Sequence, residues 1–177
     1  MKSKVIALSA ISAALVTVFL TLGAYIEIID LFAVVIASVF PILPLYLKSY
    51  TGSILSFLAG GIIAFIFSGF NYLSIVFPAY FGFLGLYAII KCKIMDKNTN
   101  RVFSVVIGLI WCVLSFYGAY YFYVFVMNGV FDGLPEIVLD YIVYFVGIIA
   151  VIFFFVFDRF ILVIRIFLDK YLSRIIK

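Results

Sequence analysis

The sequence predicts an all-helical integral membrane protein with six transmembrane helices, and its composition is the first of three observations that indicate this. Of its 177 residues, 68% are hydrophobic and 11% are charged, whereas soluble domains have about 45–50% apolar and about 25% charged residues. Crossing roughly 30 Å of hydrocarbon takes about 20 apolar residues, so the roughly 120 apolar residues suffice for about six spans. We therefore expect a single membrane domain over residues 1–177.

Breaks in the apolar pattern are the second observation, because they divide the chain into six apolar segments. The spans are predicted at 5–26, 30–47, 52–68, 72–90, 102–127 and 137–157. The first segment is longer than the apolar core of about 7–15 residues in a secretory signal peptide, and no small-residue cleavage site follows it. We expect it to be retained as a helix.

The charged residues are the third observation, because they separate to opposite ends of the spans. All twelve Lys and Arg residues fall at one end, in Lys2–Lys4, Lys48, Lys91–Arg101 and Arg159–Lys177. Acidic residues mark the other end: Glu27, Asp30, Asp132, Glu136 and Asp140. The positive-inside rule then predicts that both termini of this multi-pass protein are cytoplasmic. The basic segments need no nucleic acid to explain them.

The residue types in the sequence also exclude several kinds of catalytic, metal-binding and nucleotide-binding site. Without any histidine, the chain cannot form a Ser-His dyad, an HExxH zinc site or a histidine proton relay. The sequence has no GxxxxGK[ST] segment to bind nucleotide phosphates. We expect a protein that is not an enzyme and that has neither a metal site nor a cofactor.

Small residues mark helix faces that we expect to pack closely, because they let two helix backbones approach in lipid. The third span has them at every fourth position: Gly52, Ser56, Gly60, Ala64 and Ser68. We expect its neighbour in the same chain, with an intermolecular contact as the alternative. The first span has two such faces: Ser9, Ala13, Thr17 and Thr21 on one, and Ala10 and Ala14 on the other. Internal packing is the default interpretation of both.

Two prolines, Pro41 and Pro44, lie near the end of the second span. Each removes a backbone donor and disfavours regular helix before it. They predict a kink, which is either a hinge that moves with function or a fixed bend.

The tail, residues 158–177, places apolar residues at helical spacing among basic ones. This pattern is typical of an amphipathic helix at the cytoplasmic surface that continues the last span. Such a helix either anchors on anionic lipid or docks a partner.

The acidic end of the spans is the most site-like region, because tyrosines crowd the same level. An interfacial aromatic belt with solvated acids would explain most of these residues. The alternative is a ligand cavity. Asp140 and Tyr144 favour it, since residues four apart share one face of a helix.

The architecture resembles that of the substrate-binding S components of energy-coupling factor (ECF) transporters. The shared features cover the whole chain: six spans with both ends inside, a small-residue Ala10-xxx-Ala14 motif in the first helix, and an aromatic and acidic outer end. The chain is also similar to S-component-like membrane proteins of low-GC Gram-positive bacteria, in Tyr80–Lys91, Val156–Arg159 and Lys170–Ile175.

The resemblance implies capture of a vitamin-like small molecule, with energy supplied by separate ATPase subunits through a coupling transmembrane subunit. It implies that Ala10 and Ala14 contact the coupling subunit. It also implies a substrate pocket near Glu27, Asp30, Tyr80, Tyr120, Tyr121, Asp140 and Tyr144. The alternative function is a nonenzymatic accessory membrane protein that assembles through its small-residue helix faces.

Overall fold

A computed structural model describes residues 2–71, 74–96, 101–126 and 136–175 of the chain. Of the residues described, 92% are helical, and none lies in a strand. Within those ranges, six helical segments are long and apolar enough to cross a membrane: Ser3–Tyr25, Glu27–Tyr46, Tyr50–Phe67, Val76–Met95, Val102–Phe125 and Tyr141–Lys170. The all-helical class is therefore confirmed, as is the expectation of six helical segments long and apolar enough to span a membrane.

Eight α-helices build these spans. They are α1 (Lys2–Tyr25), α2 (Asp30–Ala37), α3 (Leu43–Tyr46), α4 (Tyr50–Phe67), α5 (Val76–Ala79), α6 (Gly85–Asp96), α7 (Arg101–Val126) and α8 (Glu136–Ile175). Short 3₁₀ turns precede α2 and α3, and a π-helical stretch, Tyr80–Leu84, joins α5 to α6. The helices form two compact units. The first contains α1–α6 and α8 from Phe160 onward, and the second contains α7 and α8 as far as Arg159.

Helices α1 and α4 touch along the small-residue ridge of α4. A methyl group on Gly60 would lie 2.6 Å from the Val16 side chain and 2.9 Å from the Ala13 carbonyl oxygen, so a larger residue does not fit. The Thr17 hydroxyl donates to the Gly60 carbonyl at 3.2 Å. The rest of the ridge is buried as well: Gly52, Ser56, Ala64 and Ser68. This confirms that the ridge packs against a helix of the same chain.

The second span is broken, as its prolines predict. Helix α2 ends at Ala37, and a 3₁₀ turn at Phe40–Ile42 leads into α3. Pro44 has no N–H to donate to the Phe40 carbonyl four residues earlier. That carbonyl instead accepts a 3₁₀ bond within the turn and a bond from the Ser12 hydroxyl of α1 at 2.5 Å.

Two further serines donate hydrogen bonds to carbonyls in or next to the break. Ser53 of α4 donates to the Pro41 carbonyl, and Ser38 donates to the Val35 carbonyl at 2.6 Å. These two serines and Ser12 are fully buried. In hydrocarbon, carbonyls that leave a regular helix need donors from within the protein. The break is therefore bonded to both α1 and α4, which favours a fixed bend over a hinge.

Helix α8 is continuous over 40 residues, which corresponds to about 60 Å at 1.5 Å per residue. The helix runs without interruption to Ile175, because neither proline nor glycine follows Gly147 in it. In the first unit, the Arg165 guanidinium donates from Nη1 to the Cys92 carbonyl at 2.6 Å. This bond holds the last part of α8 on α6.

The second unit pairs α7 with the first part of α8. The Tyr117 hydroxyl donates to the Val143 carbonyl at 3.0 Å, and the Cys112 thiol faces the Ala150 carbonyl at 3.6 Å. A methyl group on Gly147 would lie 2.8 Å from the Tyr117 hydroxyl oxygen. Gly147 therefore leaves the space through which Tyr117 reaches α8.

Candidate functional site

The two small-residue faces of α1 differ in their surroundings. The face with Ala13 and Thr17 lies against Gly60 of α4. Ala10 and Ala14, on the other face, are exposed. Internal packing therefore accounts for the first face, and the second remains available for lipid or for another protein.

The first two acids predicted to line a pocket lie at the junction of α1 and α2. Glu27 is exposed and begins the 3₁₀ turn that joins the helices. Asp30 is half-buried and begins α2, and its carboxylate accepts the backbone N–H of Leu31. Asp30 therefore already satisfies a backbone donor at the start of α2, where a negative charge is also favoured by the helix dipole.

Nearby, the C-terminal end of α4 is closed by a turn and by a tyrosine. Gly69 and Phe70 both adopt left-handed backbone angles, with φ of 68° and 58°, and the Phe70 N–H donates to the Phe65 carbonyl at 3.0 Å. The Tyr25 hydroxyl donates to the Phe67 carbonyl at 2.9 Å. Tyr25 thus caps a helix end, which is a structural use of one tyrosine from the predicted aromatic level.

Tyr80 lies inside an aromatic cluster. Its side chain is fully buried, its hydroxyl points to the Phe57 carbonyl at 3.5 Å, and its ring stacks on the Phe57 ring with the centroids 5.0 Å apart. Phe81 packs against both rings. The ring of Tyr80 is therefore closed to a ligand in this structure.

The remaining predicted pocket residues belong to the second unit. Tyr120 and Tyr121 contact each other edge to face at 5.3 Å, and Tyr121 and Tyr144 are 59% and 70% exposed. Asp140 lies in α8, but its side chain is outside the described residues, as are Asp132 and the side chain of Glu136. The predicted set is thus divided between the units, with Glu27, Asp30 and Tyr80 in the first.

Two buried ionisable residues were missed by the sequence reasoning. Lys91 of α6 is 2% exposed and Asp158 of α8 is 7% exposed. Each continues the helical spacing of the buried positions beside it: Phe83, Leu84, Tyr87 and Ala88 for Lys91, and Phe154, Phe157 and Ile161 for Asp158. Extending the 3.6-residue period beyond the apolar run would have identified both.

Comparison of the chain with protein-family models, with curated proteins and with solved structures finds no match. The description of the protein therefore rests on its fold class. Composition, helix length and hydropathy indicate an all-helical, multi-pass membrane protein with six candidate spans.

Proposed function

We propose that the chain is the substrate-binding subunit of an ECF-type importer for a vitamin-like small molecule. Separate ATPase subunits would supply energy through a coupling transmembrane subunit. In this proposal both termini are cytoplasmic and the protein lies in a bacterial inner membrane, as the segregation of basic and acidic residues favours. The observation that carries the proposal is the exposed strip of Ala10 and Ala14 on α1.

The strip is suited to a helical partner for a physical reason. Large apolar side chains flank it on α1, among them Ile6, Ile11 and Val18, which are 51–68% exposed. Between them, Ala10 and Ala14 leave a shallow depression where another helix backbone could approach closely, and van der Waals contact is a main source of helix association in lipid. The contact with Gly60 of α4 uses Ala13, Val16 and Thr17 and leaves Ala10 and Ala14 exposed.

The acidic end supplies the substrate side of the proposal. In the first unit, exposed Glu27 and half-buried Asp30 offer two carboxylates, and in the second unit Tyr121 and Tyr144 are exposed aromatic rings. Such groups favour a cationic or hydrogen-bonding aromatic ligand over a polyanion, because carboxylates repel negative charge.

The enclosure of Tyr80 favours a second candidate function. A residue of the expected pocket stacks on Phe57 and does not face a ligand. A nonenzymatic accessory protein would use the Ala10 and Ala14 strip for assembly and need no pocket. The two functions differ in whether a small molecule co-purifies in stoichiometric amount.

The deciding experiment substitutes Ala10→Trp and Ala14→Trp together. If the strip docks a coupling subunit, co-purification of coupling and ATPase subunits from co-expressing cells is lost, because two indole rings hold the partner helix away. Mass spectrometry of co-purifying small molecules should still detect the ligand, and thermal stability should stay close to that of the parent.

The matched control is Ile62→Trp with Ile66→Trp, which adds two rings at the same four-residue spacing to exposed positions of α4. This control should retain the partner subunits. If both double variants retain the partner subunits equally, Ala10 and Ala14 do not contact a coupling subunit. Preparations that repeatedly contain no small molecule would favour the accessory function.

Orientation is tested separately. In a variant without Cys92 and Cys112, we expect a cysteine at Asn98 to be shielded from an impermeant external thiol reagent, and a cysteine at Gly133 to react. External labelling at position 98 would overturn the placement of both termini in the cytoplasm.

A further inference from the structure

A shallow cleft opens in the first unit between α3, with the turn before it, and the last part of α8. It is lined by Ile42, Leu45, Tyr46, Arg165, Leu168 and Asp169. Ile42 and Leu45 are buried in its wall, Tyr46 and Leu168 are partly exposed, and both charged residues come from α8. The cleft thus combines a small apolar surface with one positive and one negative group.

Both walls of the cleft end where spans end. Tyr46 is the last residue of the span Glu27–Tyr46, and Asp169 precedes the last residue of the span Tyr141–Lys170. Lipid headgroups occupy that level of a bilayer. Arg165 lies one turn deeper than Asp169, about 6 Å at 1.5 Å per residue. In the membrane placement proposed above, the positive group is therefore nearer the hydrocarbon than the negative group.

The two charged side chains are held differently. Arg165 is 17% exposed, and its Nη1 donates to the Cys92 carbonyl at 2.6 Å. Asp169 is 57% exposed, with Oδ2 3.8 Å from Nε of Arg165. An exposed pair four residues apart on a helix is a weak interaction. The guanidinium is thus anchored, whereas the carboxylate can turn towards a ligand at little cost.

We propose that this cleft binds the headgroup of phosphatidylethanolamine. The lipid phosphate lies at Arg165, its ammonium donates to Asp169, and an acyl chain lies against the partly exposed Tyr46 and Leu168. In this lipid the phosphate is attached closer to the acyl chains than the ammonium is. That order matches the order of Arg165 and Asp169 along α8.

The charge pattern distinguishes this lipid from the other common headgroups. Phosphatidylglycerol carries the phosphate but has no cation for Asp169. Phosphatidylcholine carries a quaternary ammonium without N–H donors, so it cannot hydrogen-bond to the carboxylate. The occupant that satisfies both charged residues is therefore a primary-amine zwitterion.

The test measures lipid binding to the purified full-length protein in detergent by native mass spectrometry. Phosphatidylethanolamine, phosphatidylcholine and phosphatidylglycerol with identical acyl chains are compared. We expect the first to bind about tenfold more tightly than phosphatidylcholine, the factor that one charge-assisted hydrogen bond supplies. Equal affinities for the three lipids, or a preference for phosphatidylglycerol, would overturn the proposal.

Asp169→Ala is the diagnostic variant, because it removes the acceptor, and the side chain is exposed, so its loss should not impair folding. It should reduce the affinity for phosphatidylethanolamine to that for phosphatidylcholine and leave phosphatidylglycerol no weaker. Glu27→Ala, which removes an exposed acid at the opposite end of the spans, is the matched control and should retain the preference. An unchanged preference in Asp169→Ala contradicts the assignment.

Arg165→Gln also removes the bond to Cys92 and could impair folding, so it is not used as the primary test. The lipid assay requires neither a coupling subunit nor a transported substrate. Its failure therefore differs from a failure of the proposed importer function, which is read from partner and small-molecule co-purification.

Discussion

The second and the last spans keep their backbone carbonyls hydrogen-bonded in different ways. The second span passes through α2, a 3₁₀ turn and α3, because Pro41 and Pro44 interrupt the helix. Helix α8 is unbroken for 40 residues and bonds its own carbonyls internally. The second span therefore relies on its neighbours, whereas the last span relies on itself.

Because of this difference, similar side-chain hydrogen bonds should contribute unequally to stability. Ser12 and Ser53 donate to carbonyls at a break, where regular helical bonding is lost. Tyr117 donates to the Val143 carbonyl, which already accepts an N–H inside a continuous helix. Without the serine, the Phe40 carbonyl keeps a 3₁₀ bond, whose geometry is poorer than that of the α-helical bond that the Val143 carbonyl keeps. We therefore expect bonds at the break to contribute more to stability than bonds onto α8.

The largest expected effect comes from forcing apart the helices that hold the break. Gly60→Leu places a side chain against Val16 and the Ala13 carbonyl, so α1 and α4 must separate and carry Ser12 and Ser53 away from α2–α3. We expect the free energy of unfolding to fall by about 3 kcal/mol through overpacking. Denaturant titration in detergent micelles measures it.

Gly118→Leu is the matched control in the second unit, because a methyl group there would meet nothing within 4 Å. Its stability should stay within about 0.5 kcal/mol of the parent, as for other substitutions at exposed sites. If both leucine variants lose the same stability, the close contact between α1 and α4 is not the cause.

A smaller effect is expected when one donor at the break is removed. Ser12→Ala should lower the free energy of unfolding by about 1.5 kcal/mol, since the buried Phe40 carbonyl loses its interhelical donor. The same change in a Pro44→Ala background should cost about half as much. There, residue 44 regains an N–H that can bond to the Phe40 carbonyl.

The four proteins of this double-mutant cycle are compared by unfolding in the same detergent. Additive losses, with no coupling beyond about 0.5 kcal/mol, would show that the serine does not replace the donor missing from proline.

The smallest expected effect belongs to the second unit. Tyr117→Phe removes a hydroxyl that donates to a carbonyl already bonded within α8. We expect a loss of about 0.6 kcal/mol, the average for hydrogen bonds between membrane helices. A loss as large as that of Ser12→Ala would contradict the distinction between broken and unbroken spans.

Much of the fold was predictable from local sequence. The lengths of the apolar runs predicted six candidate spans, and Pro41 and Pro44 predicted the kink. The four-residue spacing of Gly52, Ser56 and Gly60 predicted a ridge that packs. Each of these depends on properties of one segment: length against bilayer thickness, a missing N–H, or a missing side chain. Such properties do not require knowledge of the neighbouring helix.

The candidate site was less predictable, because the same residue types serve structure and function. Tyr25 and Tyr80 belong to the tyrosine-rich level of the spans, yet one caps the end of α4 and the other stacks on Phe57. Asp30 satisfies a backbone donor at the start of α2. Their residue types indicate hydrogen-bonding capacity, but the partner that uses this capacity depends on contacts distant in sequence.

By itself, the sequence determined the helical class, the number of spans, the position of the break and the separation of charge between the two ends. Only the tertiary structure decided that Ala13 packs while Ala10 stays exposed, that Tyr80 is enclosed, and that Lys91 is buried. The physical reason is that lipid and protein interiors are both apolar, so hydrophobicity shows that a helix lies in the membrane but not which of its faces meets another helix.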